Sequence, residues 1–272
     1  PRICAQFSEP LVRAGVDYTP FVQIPSADLT VEPDTRQLCI EGVVHGERYQ
    51  VTFREGLPAA SGEKLVKNVT ISLYVRDRSP AVRFPGRAYV LPATGDIALP
   101  IETVNLTEVD LKLSRISDRS ILRTIQDDYF GRPLSVWEER NFGNDLATEV
   151  WTGKGEVTGE LNKDVTTRLP MDEVVGKLTP GIYALQASIP DADPYDTAAA
   201  TQWFVVSDLG LATMSGSDGL HVFLRSLGTA DPTAGVEITL LSRANAILAT
   251  ATTDAMGYAR FEPGLIQGTG GA

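Results

Sequence analysis

Short stretches in which apolar and polar residues alternate recur along most of this chain, and they constrain its fold more than any other feature. Such alternation places successive side chains on opposite faces of an extended strand. Clear examples cover residues 49–53, 69–75, 109–113 and 182–187. Turn residues separate these stretches at Gly56-Leu-Pro58, Ser61-Gly62, Pro85-Gly86, Thr94-Gly-Asp96, Pro180-Gly181 and Asp231-Pro232. Many short strands at this spacing predict an all-β fold of tandem antiparallel β-sandwiches.

Helical periodicity is confined to two short segments. Ser117 or Asp118 can cap a helix that continues to Phe130, before Gly131-Arg-Pro133 ends it. Its apolar stripe would be Ile121, Leu122, Ile125 and Phe130. A second and weaker helical segment is Met171 to Lys177, with Pro170 at its start. The sequence therefore predicts at most one or two short helices among the strands.

Turn and strand patterns divide the chain into three modules. Residues 1–78 form the first, residues 79–206 the second and residues 207–272 the third, which would be truncated where the sequence stops. In the third module, Asp254 and Gly257 fit a tight turn between two alternating strands. The last residues, from Gln267 to Ala272, read as a loop, and the chain begins at Pro1 without Met. We therefore expect a piece of a longer protein.

The charge balance excludes two classes of function. Twenty-four basic residues against 35 acidic ones give a net charge of -11. A general nucleic-acid binder or a basic membrane-surface module needs a cationic face, which this balance disfavours. The longest apolar runs, such as residues 203–206, are far shorter than the ~18 residues that span a bilayer.

The two cysteines lie in alternating strands. In each strand the apolar residues point the other way, so Cys4 and Cys39 are both predicted on polar faces. Because exposed free thiols are reactive, a Cys4–Cys39 disulfide in an oxidising compartment is the favoured interpretation. The alternative is a pair of unrelated thiols in a reducing cytosol.

Residues for catalysis are scarce. His45 and His221 are the two histidines, and neither adjoins a nucleophile motif, since Gly216-Ser-Asp-Gly219 has the wrong spacing for a nucleophile elbow. The sequence contains no phosphate loop, dinucleotide fingerprint or zinc-ligand spacing, so we expect neither an enzyme nor a bound cofactor.

Acidic clusters offer weak alternatives. The run Asp191-Ala-Asp193-Pro-Tyr-Asp196 could supply oxygen ligands to calcium, but a solvated turn is favoured because it lacks the central glycine and distal glutamate of a calcium loop. Carboxylate pairs at residues 127–128, 138–139 and 172–173 are expected to be solvated rather than to form a glycosidase pair.

Four arginines crowd the first module boundary: Arg76, Arg78, Arg83 and Arg87. They could form a docking patch for an acidic partner. The favoured interpretation is pairing with Asp77 and nearby carboxylates across the boundary.

A set of short motifs, weak singly but numerous, recurs along nearly the whole chain. The motifs are Leu38-Cys-Ile-Glu-Gly42, His45-Gly-Glu-Arg-Tyr49, Gly56-Leu-Pro58, Tyr74-Val-Arg-Asp-Arg78, Val82-Arg-Phe-Pro-Gly-Arg-Ala-Tyr-Val-Leu-Pro92, Leu99-Pro-Ile-Glu-Thr-Val-Asn105, Ser114-Arg-Ile-Ser-Asp-Arg119, Leu178-Thr-Pro-Gly-Ile-Tyr183, Trp203-Phe-Val-Val-Ser-Asp-Leu-Gly210 and Thr253-Asp-Ala-Met-Gly257. In this order they resemble the N-terminal part of bacterial alpha-2-macroglobulins, the envelope proteins that trap proteases. The resemblance implies an Ig-like first module followed by the first two macroglobulin domains, which are fibronectin-like sandwiches.

The resemblance also implies a function and a location. Family members trap proteases through a cleavable bait segment and, in many cases, a thioester formed in a Cys-x-x-Gln motif. Neither Cys4-Ala-Gln-Phe7 nor Cys39-Ile-Glu-Gly42 matches that motif. This segment is therefore expected to be a non-catalytic part that positions downstream bait and thioester domains. The implied location is the periplasm, with the parent attached to the inner membrane only through a lipid anchor. Cys4 is not assigned as the lipidated residue.

The competing interpretation is a tandem Ig-like binding module of a surface adhesin or glycan-binding protein. Trp137 and Trp151 flank the loop-rich middle of the second module, where an exposed aromatic platform could lie. Core packing is the favoured prediction for both residues.

Overall fold

The computed structural model describes residues 1–26, 28–91 and 98–266, and the chain forms two compact units. The first unit comprises Pro1–Pro80 together with Glu160–Lys163, and the second comprises Ala81–Gly159 and Asp164–Ala272. Most elements are short antiparallel strands, so the predicted all-β class is confirmed. The predicted turn at Thr94-Gly-Asp96 and the predicted loop from Gln267 to Ala272 lie outside the described residues.

Two three-stranded antiparallel sheets form the first unit. Its elements are β1 (Arg2–Gln6), a 3-10 turn (Thr19–Phe21), β2 (Val22–Gln23), β3 (Thr30–Asp34), β4 (Gln37–Glu41), β5 (Arg48–Phe53) and β6 (Val69–Tyr74). The sheet orders are β1–β4–β3 and β2–β5–β6. Ile3 and Leu38 of the first sheet share one buried cluster with Val51 and Phe53 of the second, because alternation turns these side chains to the inner faces.

The second unit begins with a larger sandwich. Its elements are β7 (Ala81–Arg83), β8 (Ala88–Leu91), β9 (Ala98–Val104), β10 (Glu108–Ile116), a 3-10 turn (Asp118–Ser120), α1 (Ile121–Gln126), α2 (Val136–Asn141), a π-helical turn (Phe142–Leu146), β11 (Ala147–Glu156), β12 (Val165–Pro170), α3 (Asp172–Val175), β13 (Gly181–Ser188) and β14 (Ala200–Val206). The order of its five-stranded sheet is β11–β10–β13–β14–β8, and the order of its three-stranded sheet is β12–β9–β7. Strands β14 and β8 run parallel, whereas the other pairs of these two sheets are antiparallel.

Neighbouring residues of β14 serve two different cores. Phe204 lies between the two sheets, where its ring stacks on Tyr183 at 5.6 Å between centroids. Trp203 points to the other face of the five-stranded sheet. It lies there beneath residues 118–146, which we call the helical segment, and contacts the rings of Phe130 and Phe142. Its Nε1 donates to the carbonyl oxygen of Arg132 at 2.8 Å. The helical segment therefore covers part of the sheet's outer face.

The helices differ from their prediction. The segment from Ser117 to Phe130 contains only a 3-10 turn and the six residues of α1, and Ile125 is 55% exposed rather than part of a buried stripe. The chain leaves the helix at Asp127, and Asp128 adopts a left-handed conformation with φ 55°. One helical turn, α3, lies within the second predicted segment. No helix among the described residues is long and apolar enough to cross a membrane.

The C-terminal strands form a separate sheet and a hairpin. They are β15 (Leu209–Gly216), β16 (Gly219–Ser226), β17 (Glu237–Leu241), β18 (Ile247–Thr252) and β19 (Tyr258–Phe261). The sheet order is β15–β16–β19, and β17 pairs with β18.

The predicted turn at Asp254 and Gly257 is present between β18 and β19. Asp254 Oδ1 accepts from the backbone N–H groups of Met256 and Tyr258 at 2.8 and 3.0 Å. Gly257 has φ +69°. The two flanking strands lie in different sheets, so this turn connects sheets and does not close a hairpin.

Candidate functional sites

Cys4 and Cys39 form a disulfide. They occupy directly opposite positions in the antiparallel pair β1–β4. Cys39 lies on the face of β4 opposite the core residues Leu38 and Ile40, as the alternation predicts, but it is 2% exposed and not open to solvent as that prediction implied. Strand β4 is the central strand of its sheet, so its middle residues are covered, whereas Cys4 lies exposed on an edge strand. The bridge consumes both thiols of the chain, and its role is structural.

Both histidine side chains contact neighbouring polar groups at hydrogen-bond distance. His45 Nδ1 lies 2.7 Å from the carbonyl oxygen of Arg76. His221 Nδ1 lies 2.9 Å from the Tyr258 hydroxyl, and its Nε2 lies 3.1 Å from Asp218 Oδ2. The hydrogen bond from His221 lowers the pKa of Asp218. These partners are a carbonyl, a phenol and a carboxylate, rather than the serine or cysteine that a hydrolase would activate.

The acidic run from Asp191 to Asp196 is a hydrogen-bonded turn. Asp193 Oδ1 accepts from the N–H of Tyr195 at 2.8 Å, and the Asp193 carbonyl accepts from Asp196 and Thr197. No three His, Cys, Asp or Glu side chains of the described residues are grouped so that they could hold a metal ion.

Glu138 and Glu139 are not the solvated pair that the sequence predicts. Glu138 closes a capping box with Ser135 at the start of α2 and forms a two-point ion pair with Arg132. These hydrogen bonds, chiefly those from Arg132, lower the pKa of Glu138 to about 2. Glu139 is partly buried and accepts from the N–H of Ala199 at 2.8 Å, and its burial raises its pKa.

The side chains of two arginines of the boundary segment have partners in the described part of the chain. Arg78 Nη1 donates to the carbonyl oxygen of Asn162 at 3.3 Å. Arg83 forms ion pairs with Glu102 and Asp164, at 2.5 and 3.0 Å. Asp77, expected to pair with these arginines, instead accepts from Tyr74 and Asn162, and these two hydrogen bonds lower its pKa.

Asn162 is a residue that the sequence did not single out. It belongs to the four-residue segment of the first unit, Glu160–Lys163. Its amide nitrogen donates to Asp77 Oδ1 at 2.8 Å, and its amide oxygen accepts from the N–H of Arg78 at 2.7 Å. It adopts a left-handed conformation with φ 62°, which asparagine tolerates better than most residues. Nothing local in the sequence reports a partner so far along the chain.

The two tryptophans of the middle module have different environments. Trp151 packs against the core of the larger sandwich. Trp137 is 68% exposed, so the prediction that it fills a core is wrong. The helical segment packs on the sheet through Phe142 and Leu146, which leaves Trp137 on the solvent side.

Comparison with known families gives two matches in sequence along the chain. The family model described as bacterial alpha-2-macroglobulin MG2 domain matches residues 83–204, and the one described as bacterial alpha-2-macroglobulin MG3 domain matches residues 206–272.

Individual relatives agree with these matches. A protein named alpha-2-macroglobulin from Xylella fastidiosa (strain 9a5c) is 27% identical over 265 residues, which cover 93% of this chain and 16% of the relative. Another of that name from Escherichia coli (strain K12) is 26% identical over 212 residues, which cover 78% of this chain and 13% of the relative. The chain thus spans only 13–16% of these relatives' length.

Solved structures show the same fold. The native alpha-2-macroglobulin of Escherichia coli, in a structure spanning domains MG0-NIE-MG1, matches with a TM-score of 0.57 and 22% identity, over 96% of this chain and 85% of that one. Salmonella alpha-2-macroglobulin reacted with methylamine matches with a TM-score of 0.71 and 22% identity, over 96% of this chain and 16% of that one. At this identity the likeness concerns the fold alone.

Proposed function

The chain belongs to the bacterial alpha-2-macroglobulin family, and we propose that it is a non-catalytic structural segment of a protease-trapping protein. In this proposal it positions the downstream bait and thioester domains. The parent acts in the periplasm and is held at the inner membrane by a lipid anchor.

One observation supports the structural role most directly. Two family domains follow each other with almost no residues between them, since one match ends at residue 204 and the next begins at residue 206. A linker this short leaves little freedom between consecutive elements. A row of such domains is suited to fixing distances along a large protein.

The cysteine chemistry supports the same proposal. A thioester requires a cysteine thiol to form an acyl bond, and both cysteines here are consumed by the Cys4–Cys39 bridge. The bridge also favours an oxidising compartment such as the periplasm.

The first experiment uses the purified chain. It is incubated with trypsin and other endopeptidases, and residual activity is measured on a protein substrate and on a small chromogenic one. We expect full activity on both and no covalent adduct on a denaturing gel. Stoichiometric loss of activity on the protein substrate would place the trapping function in this segment and overturn the proposal.

The second experiment tests positioning in the full-length parent. A flexible Gly-Ser insertion is placed between residues 206 and 207, and the matched control carries the same insertion in the exposed turn at Asn245. We expect the first insertion to reduce protease trapping while the bait is still cleaved, and the control to trap normally. Equal trapping by both would show that spacing through this segment is irrelevant.

A further inference from the structure

A groove of mixed polar and apolar surface lies beside α2 on the outer face of the five-stranded sheet, next to the part that the helical segment covers. Two cavities of about 370 and 300 Å³ form it. They share Lys112, Glu139 and Pro194 in their walls, so they adjoin one another. These volumes lie at the lower end of the range for small-molecule sites.

The strand register explains why this part of the sheet is polar. Lys112 pairs with Gln186 across β10 and β13, and Asp110 pairs with Ser188. Their apolar neighbours Leu111 and Leu113 point to the opposite face, into the core between the sheets. Alternation therefore places a row of polar side chains on the floor of the groove.

Two polar groups of the groove, Glu139 and Arg140, are held in place before any ligand arrives. Glu139 accepts from the backbone N–H of Ala199 at 2.8 Å. The guanidinium of Arg140 lies over the ring of Tyr195, 4.3 Å from its centroid. Such preordering reduces the entropy that binding would otherwise lose.

Aromatic surface borders the same groove. Tyr195 lines it and is 68% exposed. Trp137 is also 68% exposed and precedes Arg140 by three residues on α2, which makes the two side chains neighbours on the helix surface. Arg140 and Tyr195 line the groove, and Trp137 lies outside both cavities, one helical turn before Arg140 on α2.

Charges of both signs narrow the class of ligand. Lys112 and Arg140 provide cations, and Glu139, Glu149, Asp110 and Asp191 provide carboxylates. The carboxylates would repel a polyanion, and Lys112 and Arg140 would repel a polycation. Hydroxyl groups both donate and accept hydrogen bonds, so they match alternating carboxylates and cations, while aromatic faces suit the C–H face of a ring.

We propose that this groove is a binding site for a neutral oligosaccharide, with Trp137 and Tyr195 as stacking platforms and Lys112, Glu139 and Arg140 as hydrogen-bonding groups. The site is independent of protease trapping. It would give this segment a recognition function of its own.

The test uses the whole chain with maltotriose, cellotriose and chitotriose as probes, by ligand-observed NMR and calorimetry. We expect saturable binding of at least one trisaccharide, and Trp137→Ala should weaken it about tenfold, which is about 1.4 kcal/mol. Met214→Ala removes a residue that is 65% exposed on the C-terminal sheet and should bind as the unaltered chain does. Equal thermal midpoints of the two variants would show that Trp137→Ala acts on binding and not on folding.

Two results would overturn the proposal. One is the absence of saturable binding for all three sugars. The other is binding that Trp137→Ala, Tyr195→Ala and Lys112→Gln all leave unchanged, because the sugar would then occupy another surface.

Discussion

Both terminal nitrogens of Arg132 donate to the carboxylate of Glu138, at 2.6 and 3.0 Å. The same carboxylate accepts from the backbone N–H and the hydroxyl of Ser135, each at 2.8 Å. The carbonyl of Arg132 in turn accepts from Trp203. The ion pair therefore connects the start of α2 to Arg132, and the carbonyl of Arg132 connects in turn to Trp203 in the sheet.

We expect Glu138→Gln to lower the free energy of unfolding by about 1–2 kcal/mol. A two-point ion pair is stronger than a single one, but partial exposure of both side chains limits the loss. Urea denaturation measures the change. Asp127→Asn is the matched control, since its pair with Arg123 is an exposed i,i+4 pair and should contribute less than about 0.5 kcal/mol. Equal effects of the two substitutions would contradict the assigned role.

Because the pKa of Glu138 is lowered in the folded chain, we expect the free energy of unfolding to depend on pH. The pKa of Glu138 is lowered from 4.5 to about 2 in the folded chain. Its contribution to stability is therefore complete above about pH 4.5 and is lost as the pH falls from there towards 2. The stability difference between the unaltered chain and Glu138→Gln should shrink across that window. A difference that stays constant from neutral pH to pH 2 would contradict this prediction.

Removing the Cys4–Cys39 bridge should destabilise the first unit. Replacing both cysteines by alanine releases a loop with a sequence separation of 35, and the expected loss is about 3–4 kcal/mol. Denaturation with and without reductant checks this. The reductant should weaken the unaltered chain and leave the double variant as it was. A reductant without effect on the unaltered chain would show that the bridge contributes nothing.

Substitutions at Gly257 and Gly235 distinguish the cost of a left-handed backbone from the cost of a steric clash. Gly257 and Gly235 have φ of +69° and +73°, but a Cβ on Gly257 would lie 2.2 Å from the Leu224 carbonyl oxygen, whereas one on Gly235 would meet nothing within 4 Å. We expect Gly235→Ala to cost about 1–2 kcal/mol from its left-handed conformation alone. Gly257→Ala should cost clearly more and loosen the C-terminal sheet. Thermal denaturation of the two variants compares them, and similar losses would refute the proposed clash.

Trp203→Ala and Phe204→Ala should both lower stability by about 3–5 kcal/mol, through different regions. Trp203 lies under the helical segment, and Phe204 lies between the two sheets. Hydrogen exchange should therefore accelerate over residues 121–146 in the first variant, and over β9 and β12 in the second. The same exchange pattern in both variants would contradict the separation into two cores.

Local patterns explain which features were predictable. Alternation reveals strands and the turn at Asp254, because these depend on neighbouring residues. The capping box of Ser135 and Glu138 was also visible in the sequence and could have revealed α2. The exposure of Trp137 and the partners of Glu139 depend on how the helix packs against the sheet, which no local pattern reports.

The contacts of Asn162 affect when the first unit can finish folding during synthesis of the chain. Its two partners, Asp77 and Arg78, leave the ribosome long before it does, since Asn162 follows Arg78 by 84 residues. The first unit is therefore still incomplete when all of its strands have emerged from the ribosome. It waits for Glu160–Lys163, most of the way through synthesis of the larger sandwich. A nascent chain halted before residue 160 should carry this unit in a looser form, more open to proteases than the released protein.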